Sequence, residues 1–121
     1  MNGYDVFKEA LYSKRMDLLK DSICVVLVEG RYTPDLRLHK SITDLDDAIV
    51  DNSEKLLSGR SLRDGALFAD LVNWRFPKPT NFQYAVIYNA TTDVLMVCFD
   101  LDNTTAKRFV LEWNENGILK L

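Results

Sequence analysis

Apolar positions in the first part of the chain recur at helical spacing, with Tyr4, Phe7, Ala10 and Leu11 on one stripe. Asp5 and Glu9 stand in the first turns, where the helix dipole favours negative charge. The pattern predicts a helix from residue 4 to about 14. The periodicity then changes. Ile23, Cys24, Val25, Val26, Leu27 and Val28 follow one another without a polar break, between Asp21-Ser22 and Glu29-Gly30. Such a run, largely β-branched, reads as a strand covered on both faces or as a strand against a helix. Residues 16–19 read as a short lead-in strand or as the fraying end of the helix.

Residues 32–35 spell a turn, Tyr-Thr-Pro-Asp, in which the proline restricts the residue before it. Residues 41–50 predict a short helix capped by Thr43 with Asp46 three positions on, and with Leu45, Ala48 and Ile49 facing inward. Asp51-Asn52-Ser53 breaks that pattern. Residues 55–63 read as an irregular strand bulged at Gly59, Asp64-Gly65 as a hairpin turn, and residues 66–71 as the returning strand. Residues 74–79 predict a loop, because Pro77 and Pro79 cannot donate to a ladder. A strand at 84–88, a turn at 89–93 and a partner strand at 94–101 follow. A further turn is expected at 102–105. Residues 108–113 predict a strand with Phe109, Leu111 and Trp113 on one face. The Asn-Glu-Asn-Gly loop at 114–117 then leads to a last strand at 118–121. The whole predicts an α+β, mainly β fold. An N-terminal helix packs on an antiparallel β-sandwich-like domain that ends in a meander. No repeat or linker divides it, so residues 1–121 read as one domain.

Composition narrows the function. A chain of 121 residues that is 47% hydrophobic can bury a core without a disulfide or a metal. Its net charge is −3, and its basic residues are spread out, with Lys14-Arg15 and Lys107-Arg108 as the closest groupings. No stripe of cations suited to phosphates is legible, so neither nucleic acid nor an anionic membrane surface is an expected partner. No apolar run approaches the roughly 18 residues of a membrane span. The residues after Met1 lack a signal-peptide pattern, so synthesis in a cytoplasm is expected. Cys24 and Cys98 lie inside apolar runs and read as buried, reduced thiols.

Candidate chemistry is sparse. His39 is the only histidine and would have to serve any Ser-His or Cys-His site as its base, yet no nucleophile elbow stands near it. One histidine and two distant cysteines do not give zinc spacing. Asp100 and Asp102 resemble a short metal-binding acidic motif, but they end a strand and enter a turn, where Asp favours local backbone bonds. Asp44, Asp46 and Asp47 read as helix-start charge. No glycine-rich phosphate loop is present among the five glycines. The expectation is a protein without catalytic residues, cofactor or metal. Aromatics are what remain. Tyr32, Trp74, Phe76 and Phe82 lie in or beside the segments that hold Pro34, Pro77 and Pro79, with Arg75 and Lys78 flanking. Tyr32, Pro34, Trp74, Arg75, Phe76, Lys78 and Phe82 are therefore the candidate partner interface, since aromatic anchors on pre-set loops suit binding. The alternative is that Trp74 and Phe82 plug the ends of the core.

A resemblance runs along the chain. It starts with an N-terminal helix and the apolar strand from Ile23, then Tyr32-Thr33-Pro34-Asp35 and His39. Val72-Asn73-Trp74, Tyr84-Ala85-Val86-Ile87-Tyr88-Asn89 and an Asp100 after an apolar strand come next. Glu112-Trp113-Asn114-Glu115-Asn116-Gly117-Ile118-Leu119-Lys120-Leu121 closes it. In this order the chain resembles a family of small virion structural proteins of tailed bacteriophages. The family's middle strands are rich in glycine and threonine, whereas residues 50–63 here carry one glycine and more charge. The resemblance implies a non-enzymatic particle component located in the virion. Within that class the leading expectation is a capsid decoration or cement protein bound to coat subunits or other virion proteins, with self-association open. A tail, neck or fibre component is the alternative. Outside that class, a carbohydrate- or receptor-binding module would use Trp74 and Phe76 as a stacking platform.

Overall fold

The computed structural model describes residues 2–120, so Leu121 of the expected final strand lies outside the described residues. The chain forms β1 (Asn2–Gly3), α1 (Asp5–Tyr12), β2 (Ile23–Val28), a 3₁₀ segment (Ile42–Ala48), β3 (Lys55–Leu56), β4 (Ser61–Arg63), β5 (Ala66–Phe68), β6 (Val72–Asn89), β7 (Val94–Leu111) and β8 (Leu119–Lys120). It is a mainly β, α+β fold of two antiparallel sheets with one short N-terminal helix, as the pattern predicts. One sheet runs β1-β7-β6-β2-β3 and the other β4-β5-β8.

The unbroken apolar run is explained by what covers β2. Every residue of Ile23–Val28 is buried. Ile23, Val25 and Leu27 face one cluster with Leu57, Leu67, Ile118 and Leu119, so the smaller sheet closes that face. Cys24, Val26 and Val28 face a second cluster with Tyr4, Tyr32, Leu45 and Ala48, covered by Tyr4 ahead of α1 and by the chain between β2 and β3. With both faces dry, alternation of apolar and polar residues has no reason to appear. Helix α1 contributes Phe7 to the first cluster. Cys24 and Cys98 are both buried and free. Burial pushes the Cys98 thiol up to about 11 and raises Cys24 as well. Thiolate is therefore scarce near neutrality. Both thiols should resist a maleimide in the native protein and react fully in denaturant; rapid native labelling would contradict this placement.

The 41–50 segment is tighter than the expected α-helix. Its sequence, Ile-Thr-Asp-Leu-Asp-Asp-Ala, is rich in side chains that bond their own backbone instead of supporting an α-helix. Two 3₁₀ turns meet across Asp46, which sits at φ 53°. The cap is Ser41 with Asp44, not Thr43 with Asp46. The Asp44 carboxylate accepts the backbone N–H groups of Lys40 at 2.7 Å and Ser41 at 3.1 Å. Those bonds hold the Asp44 carboxyl below the usual carboxylate range. A lowered folded value stabilises the fold above the unfolded carboxyl pKa of about 3.9, and this is lost as pH falls through the folded value. Asp44→Ala should cost about 1 kcal/mol at pH 7. In denaturant titrations the gap from wild type should close below about pH 4; a gap that persists in acid would rule out the carboxylate as its source.

The Asp64-Gly65 turn joins β4 to β5 with both residues at positive φ, 51° and 73°, the geometry of the expected tight hairpin. The expected pairing of 84–88 with 94–101 also stands, from Tyr84↔Asp100 to Asn89↔Val94. The expected 55–63 strand splits into β3 and β4, which lie in different sheets, and β5 ends at Phe68 short of the expected 71, whereas β6 and β7 run longer than the pattern suggests. Strands β6 and β7 each span 18 residues. The loop expected at 74–79 is a β6 bulge: the register shifts between Arg75 and Thr80, which releases residues 76–79 from the ladder. Pro77 and Pro79 thus sit where no N–H is required. The turn expected at 102–105 is likewise an irregularity within β7, with Asp102 at φ 60° and a second shift on β6 between Phe82 and Tyr84. That shift changes the inward phase. Trp74, Phe76 and Phe82 before it, and Ala85 and Ile87 after it, all reach the first cluster. The expected closing meander is not formed. Strand β8 pairs with β5, through Ala66↔Lys120 and Leu67↔Leu119, so the chain leaves the large sheet after Leu111. Gly117, at φ 107°, allows this turn at a point where a Cβ would press on Ala66 and the Leu67 carbonyl.

Candidate partner interface

Three of the seven candidate anchors belong to the core. Tyr32 is 6% exposed, Trp74 2% and Phe82 0%. Tyr32 packs in the second cluster, with Tyr84 edge-on at a 6.0 Å centroid separation. Its hydroxyl lies 2.7 Å from that of Tyr4 and 2.8 Å from His39 Nδ1. The Asp35 backbone N–H also donates to that nitrogen at 3.1 Å, so Nδ1 is an acceptor. Tyr32 then donates to His39, and Tyr4 donates to Tyr32. Burial pushes the Tyr32 hydroxyl up to about 12 and Tyr4 higher still, so both keep their protons. His39 is thus a fastener for the loop after β2. Pro34, half-buried, belongs to the same loop.

Trp74 and Phe82 settle on the plug reading. The Trp74 indole Nε1 donates to the buried Ser53 carbonyl at 2.6 Å, and its ring lies 5.9 Å from that of Phe109. Phe82 meets Phe109 edge-on at 4.9 Å. The two predicted loops therefore anchor in different clusters and do not converge on one aromatic patch. Trp74 is also lost as a stacking platform for a sugar. Asp100 spends its carboxylate on the Asp102 N–H at 2.9 Å, a local backbone bond. Among the described residues no three His, Cys, Asp or Glu side chains gather as a metal site.

Arg75, Phe76 and Lys78 are what remains near the surface, Phe76 half-buried and the two cations exposed. With Pro77 they edge an open groove of about 610 Å³ whose other wall carries Asp47, Ile49 and Asp51. The larger feature lies on the outer face of the ribbon made by residues 72–75 and 108–111. Trp74 and Phe109 turn inward as cross-strand partners. The next pair outward is Arg75 opposite Arg108, followed by Asn73 opposite Val110. All four are exposed, as is Lys107. Like charges directly opposite in a ladder are unfavourable. Among the described residues the ion pairs are Lys8–Asp5, Arg31–Glu29 and Arg31–Asp47, so neither arginine of the ribbon has a carboxylate partner. The sequence concealed this cluster. Arg108 faces Arg75 only because a segment read as a loop and one read as a separate strand are arms of one hairpin.

No protein-family model, curated protein or solved structure matches this chain.

Proposed function

We propose that this chain works as a binding component of a tailed-phage virion, in the manner of a capsid decoration or cement protein seated on coat subunits. The virion assignment rests on the sequence resemblance. The binding role rests on one observation: Arg75 and Arg108 stand opposite each other, exposed and, among the described residues, without an acidic partner, on a ribbon whose inner face is fixed in the core. Such a pair costs stability in the isolated chain and gains a compensating carboxylate on docking. A rigid inner face lowers the ordering cost of association. Three clustered cations, Arg75, Lys107 and Arg108, fall short of the long stripe that phosphate binding needs, which disfavours a nucleic-acid partner. Mass spectrometry of purified particles tests the assignment. The expected result is this chain at a copy number commensurate with coat subunits. A few copies per particle would move it to the tail or neck, and absence from particles would overturn the virion reading.

A further inference from the structure

We propose that the outer edge of β7 over residues 104–111 receives an extended acidic segment of a partner protein as an added strand. The proposal rests on the binding role given above and specifies its mode. Strand β7 is bonded on one side by β6 along its length, whereas on the other side β1 covers it only at Val97 and Cys98. Beyond that point the described residues place no strand against it. The bulge that holds Pro77 and Pro79 is on β6, so four residues there face Lys107 alone and β7 continues without interruption. Its irregular residue, Asp102 at φ 60°, lies before this stretch. The result is a regular strand edge with unpaired N–H and C=O groups, a template for strand addition.

Charge selects the occupant. Lys107 and Arg108 lie on the edge strand itself, and Arg75 stands directly behind Arg108. An antiparallel dimer through two such edges, centred on Arg108, would set Arg108 opposite its copy with an Arg75 beside each, four cations on one face, which opposes self-pairing. Edge lysines are a common guard against self-association. An acidic strand meets the opposite situation: its backbone completes the ladder while its carboxylates relieve the Arg75–Arg108 opposition. Val110, 47% exposed, and the half-buried Phe109 and Leu111 give the incoming strand apolar cross-strand neighbours.

The test uses the full chain and a synthetic dodecapeptide of alternating valine and glutamate. Isotope-edited NMR is expected to show saturable binding, with slowed amide exchange confined to residues 104–111. Three comparison ligands decide the mode. A peptide of the same sequence, N-methylated at alternate residues on its bonding edge, should lose at least tenfold in affinity. A lysine-for-glutamate peptide should not bind. A single-stranded oligonucleotide should bind more weakly than the acidic peptide. Equal binding of the N-methylated peptide would overturn strand addition while leaving a basic docking face intact. Equal or tighter binding of the oligonucleotide would overturn the acidic-protein partner and the binding role with it. No binding of the acidic peptide at millimolar concentration would overturn the proposal. Lys107→Glu with Arg108→Glu should abolish acidic-peptide binding and leave the melting temperature within a few degrees.

Discussion

Phe82→Ala should remove about 3–5 kcal/mol of folding stability, enough to leave a domain of this size marginal or unfolded. The size of the effect follows from position. Phe82 is fully buried and meets Phe109 at 4.9 Å and Phe76 at 6.5 Å, at the point where the β6 register shifts. Truncation loses the transfer energy of the ring and leaves a cavity, because the bulged backbone is held by its neighbours on both strands. Urea denaturation with an unchanged slope is the measurement. Phe76→Ser, at the half-buried first residue of the unpaired stretch, should cost markedly less. A Phe82→Ala shift below about 1 kcal/mol would mean that the ring is not core and that the surface-anchor reading deserves a return.

Arg75→Glu should move stability and binding in opposite directions. In the isolated chain it replaces a like-charged cross-strand pair, Arg75 opposite Arg108, with an attractive one. A cross-strand ion pair contributes roughly 0.2–1 kcal/mol, so the variant should be as stable as wild type or slightly more so. Toward an acidic partner it turns attraction into repulsion. A loss of about 2–4 kcal/mol in affinity is expected for a desolvated charge contact, which is roughly thirtyfold to a thousandfold. The wild-type interaction should also weaken as salt is raised, since exposed charges are screened. Thermal melts and quantitative particle loading, run on one preparation, check both halves. Loading at the wild-type level would remove the ribbon from the interface. A marked fall in melting temperature would mean that Arg75 serves the fold.

The sequence and the structure agree where short-range pattern decides. Strand β2, the 84–101 hairpin and the Asp64-Gly65 turn each carry their own signal: an apolar run, paired alternation, and residues able to take positive φ. They part where pairing is non-local. Pro77 and Pro79 look like a loop in one dimension, and only the partner strand shows that a ladder can close around them as a bulge. Strand β8 pairs with β5, some fifty residues earlier, instead of with the strand just before it, and no turn residue announces that choice. The interface was legible only in part for the same reason. Tyr32, Trp74 and Phe82 beside prolines read equally as anchors or plugs, because burial is set by elements far away in sequence. Arg75 and Lys78 were visible as candidates. Arg108 was not, because its importance comes from the register that sets it opposite Arg75.

The most direct test of the account is a cryo-EM reconstruction of the assembled particle at side-chain resolution. This chain is expected on the particle with the Arg75–Arg108 face of its ribbon against acidic side chains of a neighbouring virion protein, and with Trp74 and Phe82 inside its own core. A chain bound to the particle through another face, with Arg75 and Arg108 open to solvent, would contradict the proposed docking mode. A fully assigned particle without this chain would contradict the function itself.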